Sequence, residues 1–143
     1  MSDEINANIP QQEYADAKSK FDPETPLKMA QNIGKGKMQL CSPIMDGERK
    51  YDELKFDFTA LTGWEFARAM DTGAPRGGGS ITNLTDAQAM ALFAAAAAKC
   101  TDGLDATDIR ERMGAMDAIG AINTASLFFR SSLMATSLRI TKE

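Results

Sequence analysis

The sequence predicts an α+β fold: a mostly helical domain of three to four helices, opened by a β-hairpin and preceded by a disordered N-terminal arm. Three observations carry this. Apolar residues alternate on either side of an Asp46-Gly47 pair. Helix start signals then follow in series at Thr62, Thr85 and Asp105. Ahead of both, residues 1–37 are rich in Asn, Gln, Lys, Asp, Glu and Pro and poor in large apolar side chains.

That leading composition buries too little apolar surface to offset the entropy of ordering it, so residues 1–37 are expected to form a mobile arm. A short helix over residues 11–21 fits within it. Phe21, Leu27, Met29 and Ile33 offer apolar side chains that could dock on a partner. The remaining residues, 38–143, are long enough to bury a core as one domain.

The hairpin is expected over residues 38–58. An Asp-Gly pair suits a two-residue turn in which both central residues take positive φ. Leu54, Phe56 and Phe58 repeat with period two and should share one face. Tyr51 is out of phase with them, which points to a bulge near Asp52-Glu53 or to a different register. Pro43 fits only where no ladder hydrogen bond is needed. A lone hairpin is marginal in water, so this one must lie against helices or another strand.

Helices are expected at about residues 63–72, 86–100, 106–119 and 124–137. Thr62 with Glu65 forms a capping box, and Leu61 with Phe66 forms the accompanying hydrophobic staple. Thr85 with Gln88 repeats the signal, with Leu84 ahead of it. Asp105 caps the third helix between Leu104 and Ile109. The run Ala94–Ala98 favours a helix and lets neighbouring elements approach closely. Gly120 and Asn123 weaken the helical pattern, so a kink or break is expected before Thr124. Between the first two helices, Gly73–Ser80 reads as a surface loop. Its glycines lack the Gly-Lys-Ser/Thr ending and the leading strand of a phosphate cradle.

Composition narrows the chemistry. The net charge is −4, which gives no general attraction to nucleic acid or to an anionic membrane surface. No run approaches the roughly 20 apolar residues that span a bilayer. The polar, acidic start lacks signal-peptide order, so the chain is expected to stay in the cytoplasm. Cys41 and Cys100 lie far apart and have no metal-ligand spacing, and free thiols are expected. There is no histidine, which removes the commonest general base and the most frequent transition-metal ligand. Asp102, Asp105 and Asp108 lack the glycine and terminal Glu of a calcium loop. No catalytic, metal-binding or cofactor-binding residue is therefore nominated. Methionine is the enriched type, nine in all. Its flexible thioether fills irregular cores, and it also lines surfaces that accept varied apolar partners.

The block from Met38 to Met70, with Leu40, Pro43-Ile44, Asp46-Gly47, Tyr51, Leu54 and Leu61-Thr62-Gly63, resembles the tail assembly chaperones of Mu-like and related long-tailed phages. The resemblance spans Lys37–Leu133 and includes the paired aromatics Phe128-Phe129 near its end. The long arm and the Gly77–Gly79 loop depart from that pattern. It implies a non-enzymatic helper in the host cytoplasm, absent from the mature virion. Such a helper binds the tape measure protein, keeps it soluble and assists assembly of the tail tube protein; self-association is compatible with the role. The partner surface expected from it comprises Trp64, Phe66, Met113, Met116, Phe128 and Phe129. Two other readings remain, the first of which shares the size and the arm. One is a structural tail or connector protein of the virion. The other is a helical regulatory protein that binds DNA or another regulator; its only candidate basic helix, around Arg110–Arg112, is offset by Asp108 and Glu111.

Overall fold

The computed structural model describes Lys28 and residues 32–72 and 83–139, with side chains described as far as Thr136. The expected arm helix, the Gly77–Gly79 loop and the last four residues lie outside the described residues. The fold is α+β. A two-stranded antiparallel sheet, β1 (Lys35–Asp46) and β2 (Arg49–Asp57), runs through a 3-10 turn at Phe58–Ala60 into four helices. These are α1 (Gly63–Met70), α2 (Asp86–Ala98), α3 (Ala106–Arg112) and α4 (Ala115–Arg139). The first strand begins at Lys35, so the last three residues assigned to the arm belong to the sheet.

The hairpin turn differs in detail from the expected Asp46-Gly47 pair. Asp46 is still a ladder residue opposite Arg49, and the two central residues are Gly47 and Glu48. Gly47 has φ +64°, and no described non-glycine residue has positive φ. This is the arrangement of a type II′ turn, which needs glycine only at its first central position. Asp46 is left to pair with Arg112 of α3 at 3.1 Å.

The irregularity signalled by Tyr51 is present, with the extra residues on the other strand. Register holds from Lys35↔Asp57 to Gln39↔Glu53 and resumes at Ile44↔Tyr51. Leu40 to Pro43 of β1 therefore face Asp52 alone, and Pro43 lies where no ladder bond is required. Beyond the bulge, Ile44 is buried and Tyr51 half-buried, with the Tyr51 hydroxyl donating to the Asp102 carbonyl at 2.9 Å.

All three start signals form as the sequence implies. Thr62 and Glu65, Thr85 and Gln88, and Asp105 and Asp108 each make reciprocal capping bonds. Gln88 is buried and also donates to the Met70 carbonyl at 2.9 Å, which ties the start of α2 to the end of α1.

The core is built around α2, which contacts α1, α3, α4 and β2. Leu92, Phe93, Ala94, Ala96 and Ala97 are fully buried. Phe93 meets Phe56 and Phe58 at centroid distances of 5.2 and 6.3 Å. Small alanines let the surrounding elements close on this helix, and the aromatic rings fill the space toward the hairpin.

The break expected before Thr124 falls elsewhere. Met113 takes an extended conformation at the end of α3, and α4 then runs unbroken through Gly120 and Asn123. Tertiary packing explains why Gly120 is tolerated. A Cβ there would lie 3.3 Å from the Met38 sulfur, so the glycine lets the helix press on the hairpin. Its carbonyl also accepts a bond from the Thr124 hydroxyl at 2.7 Å.

Gly103 is a second position where backbone geometry is restrictive. Its φ is +90°, and an added Cβ would run into the Arg49 guanidinium and approach the Tyr51 hydroxyl at 2.6 Å. Gly103→Ala is expected to cost roughly 1–3 kcal/mol, seen as a lower Tm, through strain and loss of the Tyr51–Asp102 contact.

Candidate functional site

Two features of α4 stand out, one on its packed side and one on its exposed side. Asp117, in its first turn, is a buried carboxylate, 4% exposed. It accepts bonds from the backbone amides of Cys41 at 2.7 Å and Ser42 at 3.1 Å. Those amides belong to the β1 bulge, whose ladder partners are missing, so one carboxylate satisfies what the irregular strand leaves open. Burial alone would raise the Asp117 pKa. The two amides, together with the Cys41 thiol, outweigh it and hold the carboxyl below its usual range. The same carboxylate pushes the Cys41 thiol up, by hydrogen bonding first and by its charge second. A raised thiol is a poor nucleophile at neutral pH. Both carboxylate oxygens of Asp117 are used, and the arrangement is that of a clamp joining sheet to helix.

Among the described residues, no group of three or more His, Cys, Asp or Glu side chains is placed to hold a metal ion. No helix among them is long and apolar enough to cross a membrane.

The exposed side of α4 carries large apolar residues. Met116 is 73% exposed, Ile119 61%, Leu127 46% and Met134 59%. Helical spacing aligns them: Met116 to Leu127 is about three turns, and Met116 to Met134 about five. The aligned residues cover about 27 Å of helix at 1.5 Å per residue. Asn123 and Arg130 are exposed polar positions within the same face. Buried small residues at Ala121, Ala125 and Ala135 mark the core-facing side. A helix ordinarily turns one apolar stripe to the core and a polar face to water. Four large apolar side chains exposed along one side of a helix make this the candidate contact surface.

The structure divides the six expected partner residues. Trp64, at the start of α1, is 73% exposed, and Met116 is equally open. Phe66 is half-buried and stacks on Phe129 at 6.3 Å. Phe128 stacks on Phe58 at 4.7 Å, and Phe129 is buried. Met113 packs against the core. Phe128 and Phe129, both expected at the partner surface, instead share a core-facing stripe wide enough for the two rings. The methionines also split: Met38, Met70, Met90 and Met113 pack on the core, while Met45, Met116 and Met134 are exposed.

Ile119, Leu127 and Met134 did not enter the expected surface. The break placed before Thr124 cuts the helix and hides their common face. Read as one helix, the 11- and 7-residue separations of Met116, Leu127 and Met134 would have revealed it.

Compared with protein-family models, curated proteins and solved structures, the chain has no match.

Proposed function

We propose that this chain is a non-catalytic tail assembly chaperone. It binds an apolar helical segment of the tape measure protein in the host cytoplasm, keeps it soluble and assists tail-tube assembly. The observation that carries the reading is the row of exposed apolar residues Met116, Ile119, Leu127 and Met134 along one face of α4, interrupted by Asn123 and Arg130, with Trp64 as a further exposed anchor. Two of these are methionines, whose flexible side chains adapt to different apolar partners. An amphipathic client helix laid along that face would remove both apolar surfaces from water. A holdase of this kind acts by mass action on exposed apolar segments and needs no nucleotide site. The sequence resemblance over Lys37–Leu133 supplies the biological setting.

Co-expression with the tape measure protein of the same genome tests the proposal. The native chain is expected to keep that client in the soluble fraction. Met116→Glu combined with Leu127→Glu is expected to reduce soluble client at least about tenfold, since burying each such side chain contributes roughly 1.5–3 kcal/mol. Both positions are exposed, so the variant's own unfolding free energy should stay within about 0.5 kcal/mol of the native chain's. Equal client solubility with and without the chain would sink the reading. Recovery of the chain in purified virions would favour a structural tail or connector subunit instead.

A further inference from the structure

A second surface lies between α1, α2 and α3, away from the exposed face of α4. Helix α2 is enclosed along most of its circumference, but Ala95 and Ala98 remain half-open. Together with Ala91 they form part of the floor of a groove of about 390 Å³. The rim is cationic: Arg68 from α1, Arg110 from α3 and Lys99 at the end of α2. Lys99 pairs with Glu65 at 2.8 Å, and that ammonium, aided by the Thr62 amide, holds the Glu65 carboxyl down to about 2. Arg68 and Arg110 are exposed and make no ion pair among the described residues. In a chain of net charge −4, two uncompensated guanidiniums beside a methyl-lined groove form a local exception.

We propose that this groove is the docking site of the chain's own N-terminal segment, residues 11–24, bound through Tyr14, Ala17 and Phe21. Small floor residues leave room for large side chains on the occupant. Tyr14 and Phe21 are seven residues apart, as are Ala91 and Ala98. In a helix both separations are about two turns, near 10 Å, and Ala17 falls between the two rings on the same face. Glu13 borders that face, and Asp22 and Glu24 follow directly after it. Residues 1–27 hold six carboxylates against two lysines, a charge complementary to the rim. The tether reaches. Gly34 is fixed by the bond from the Phe58 amide to its carbonyl, 2.6 Å long, and Phe58 lies only seven residues before Glu65 of the groove. The thirteen residues from Phe21 to Gly34 can extend to about 43 Å, more than the span of a domain this size. Tethering supplies a high effective concentration, so modest contacts suffice.

The test uses the full chain with a photoreactive benzoylphenylalanine in place of Tyr14. Irradiation is expected to give a monomer-mass crosslink, independent of protein concentration, that maps to groove residues of α2 and α3. Arg68→Glu with Arg110→Glu should lower its yield roughly five- to tenfold by reversing two exposed charge contacts. Adding Glu13→Arg and Asp22→Arg to that variant should restore the yield, which separates lost attraction from lost folding. Crosslinks that map elsewhere, that join two chains, or that ignore both charge reversals would overturn the proposal.

Discussion

Phe93→Ala is expected to lower the unfolding free energy by about 3–5 kcal/mol, the range for truncating a large buried aromatic. The side chain is fully buried at the centre of α2 and contacts the rings of Phe56 and Phe58. Two losses combine: apolar area returns to a cavity, and two aromatic contacts worth about 0.5–1.5 kcal/mol each disappear. The surroundings are poorly able to fill the void. Ala94, Ala96 and Ala97 have no rotamers with which to close it, and Phe56 and Phe58 are anchored in and beside β2. A domain of this size has only about 5–15 kcal/mol in all, so the variant would be near the edge of folding. Urea titration with an unchanged m-value is the measurement, and Phe93→Leu should recover more than half of the loss. A loss below about 1 kcal/mol would contradict the placement of this ring at the centre of the core.

Asp117→Ala is expected to cost about 1–2 kcal/mol, because two charge-assisted bonds to the bulge are lost and the Cys41 and Ser42 amides, on exposed residues, are left to water. Asp117→Asn keeps one acceptor oxygen and the shape while losing the charge, and should cost about half as much. The pH dependence follows from the depressed pKa of Asp117. A carboxyl whose folded value lies below its unfolded value stabilises the fold above the unfolded value, near pH 3.9. That contribution is lost as pH falls through the folded value. The difference in stability between native chain and Asp117→Asn should therefore be constant at neutral pH and shrink as the solution is acidified below about pH 4. A difference that grew on acidification would contradict the clamp.

Local signals carried much of the fold. The three helix starts depend on residues within three positions of one another, and all three formed at Thr62, Thr85 and Asp105. Phase along a strand is equally local, and the misfit of Tyr51 with Leu54 and Phe56 located the irregularity, though not the strand that holds the extra residues. Helix ends were harder, since propensity alone treats Gly120 as a weak point. The contact that makes glycine useful there comes from Met38, more than eighty residues earlier. That one misplaced break also concealed the alignment of Met116, Leu127 and Met134. The clamp was invisible for a related reason: an Asp in the first turn of a helix is ordinary, and nothing near Asp117 in the chain names Cys41 and Ser42 as its donors.

The chain alone thus settles what short-range physics governs: an α+β class, the hairpin, three capped helix starts and the absence of histidine chemistry. Long-range packing settles the rest. It leaves Asp117 inside as the partner of a broken ladder, buries Phe129 and stacks Phe128 on Phe58, and turns Met116, Ile119, Leu127 and Met134 outward. Capping and turn bonds close over a few residues at small entropic cost. The direction a helix faces is decided by which neighbours it meets, and those neighbours are brought together only when the whole domain folds.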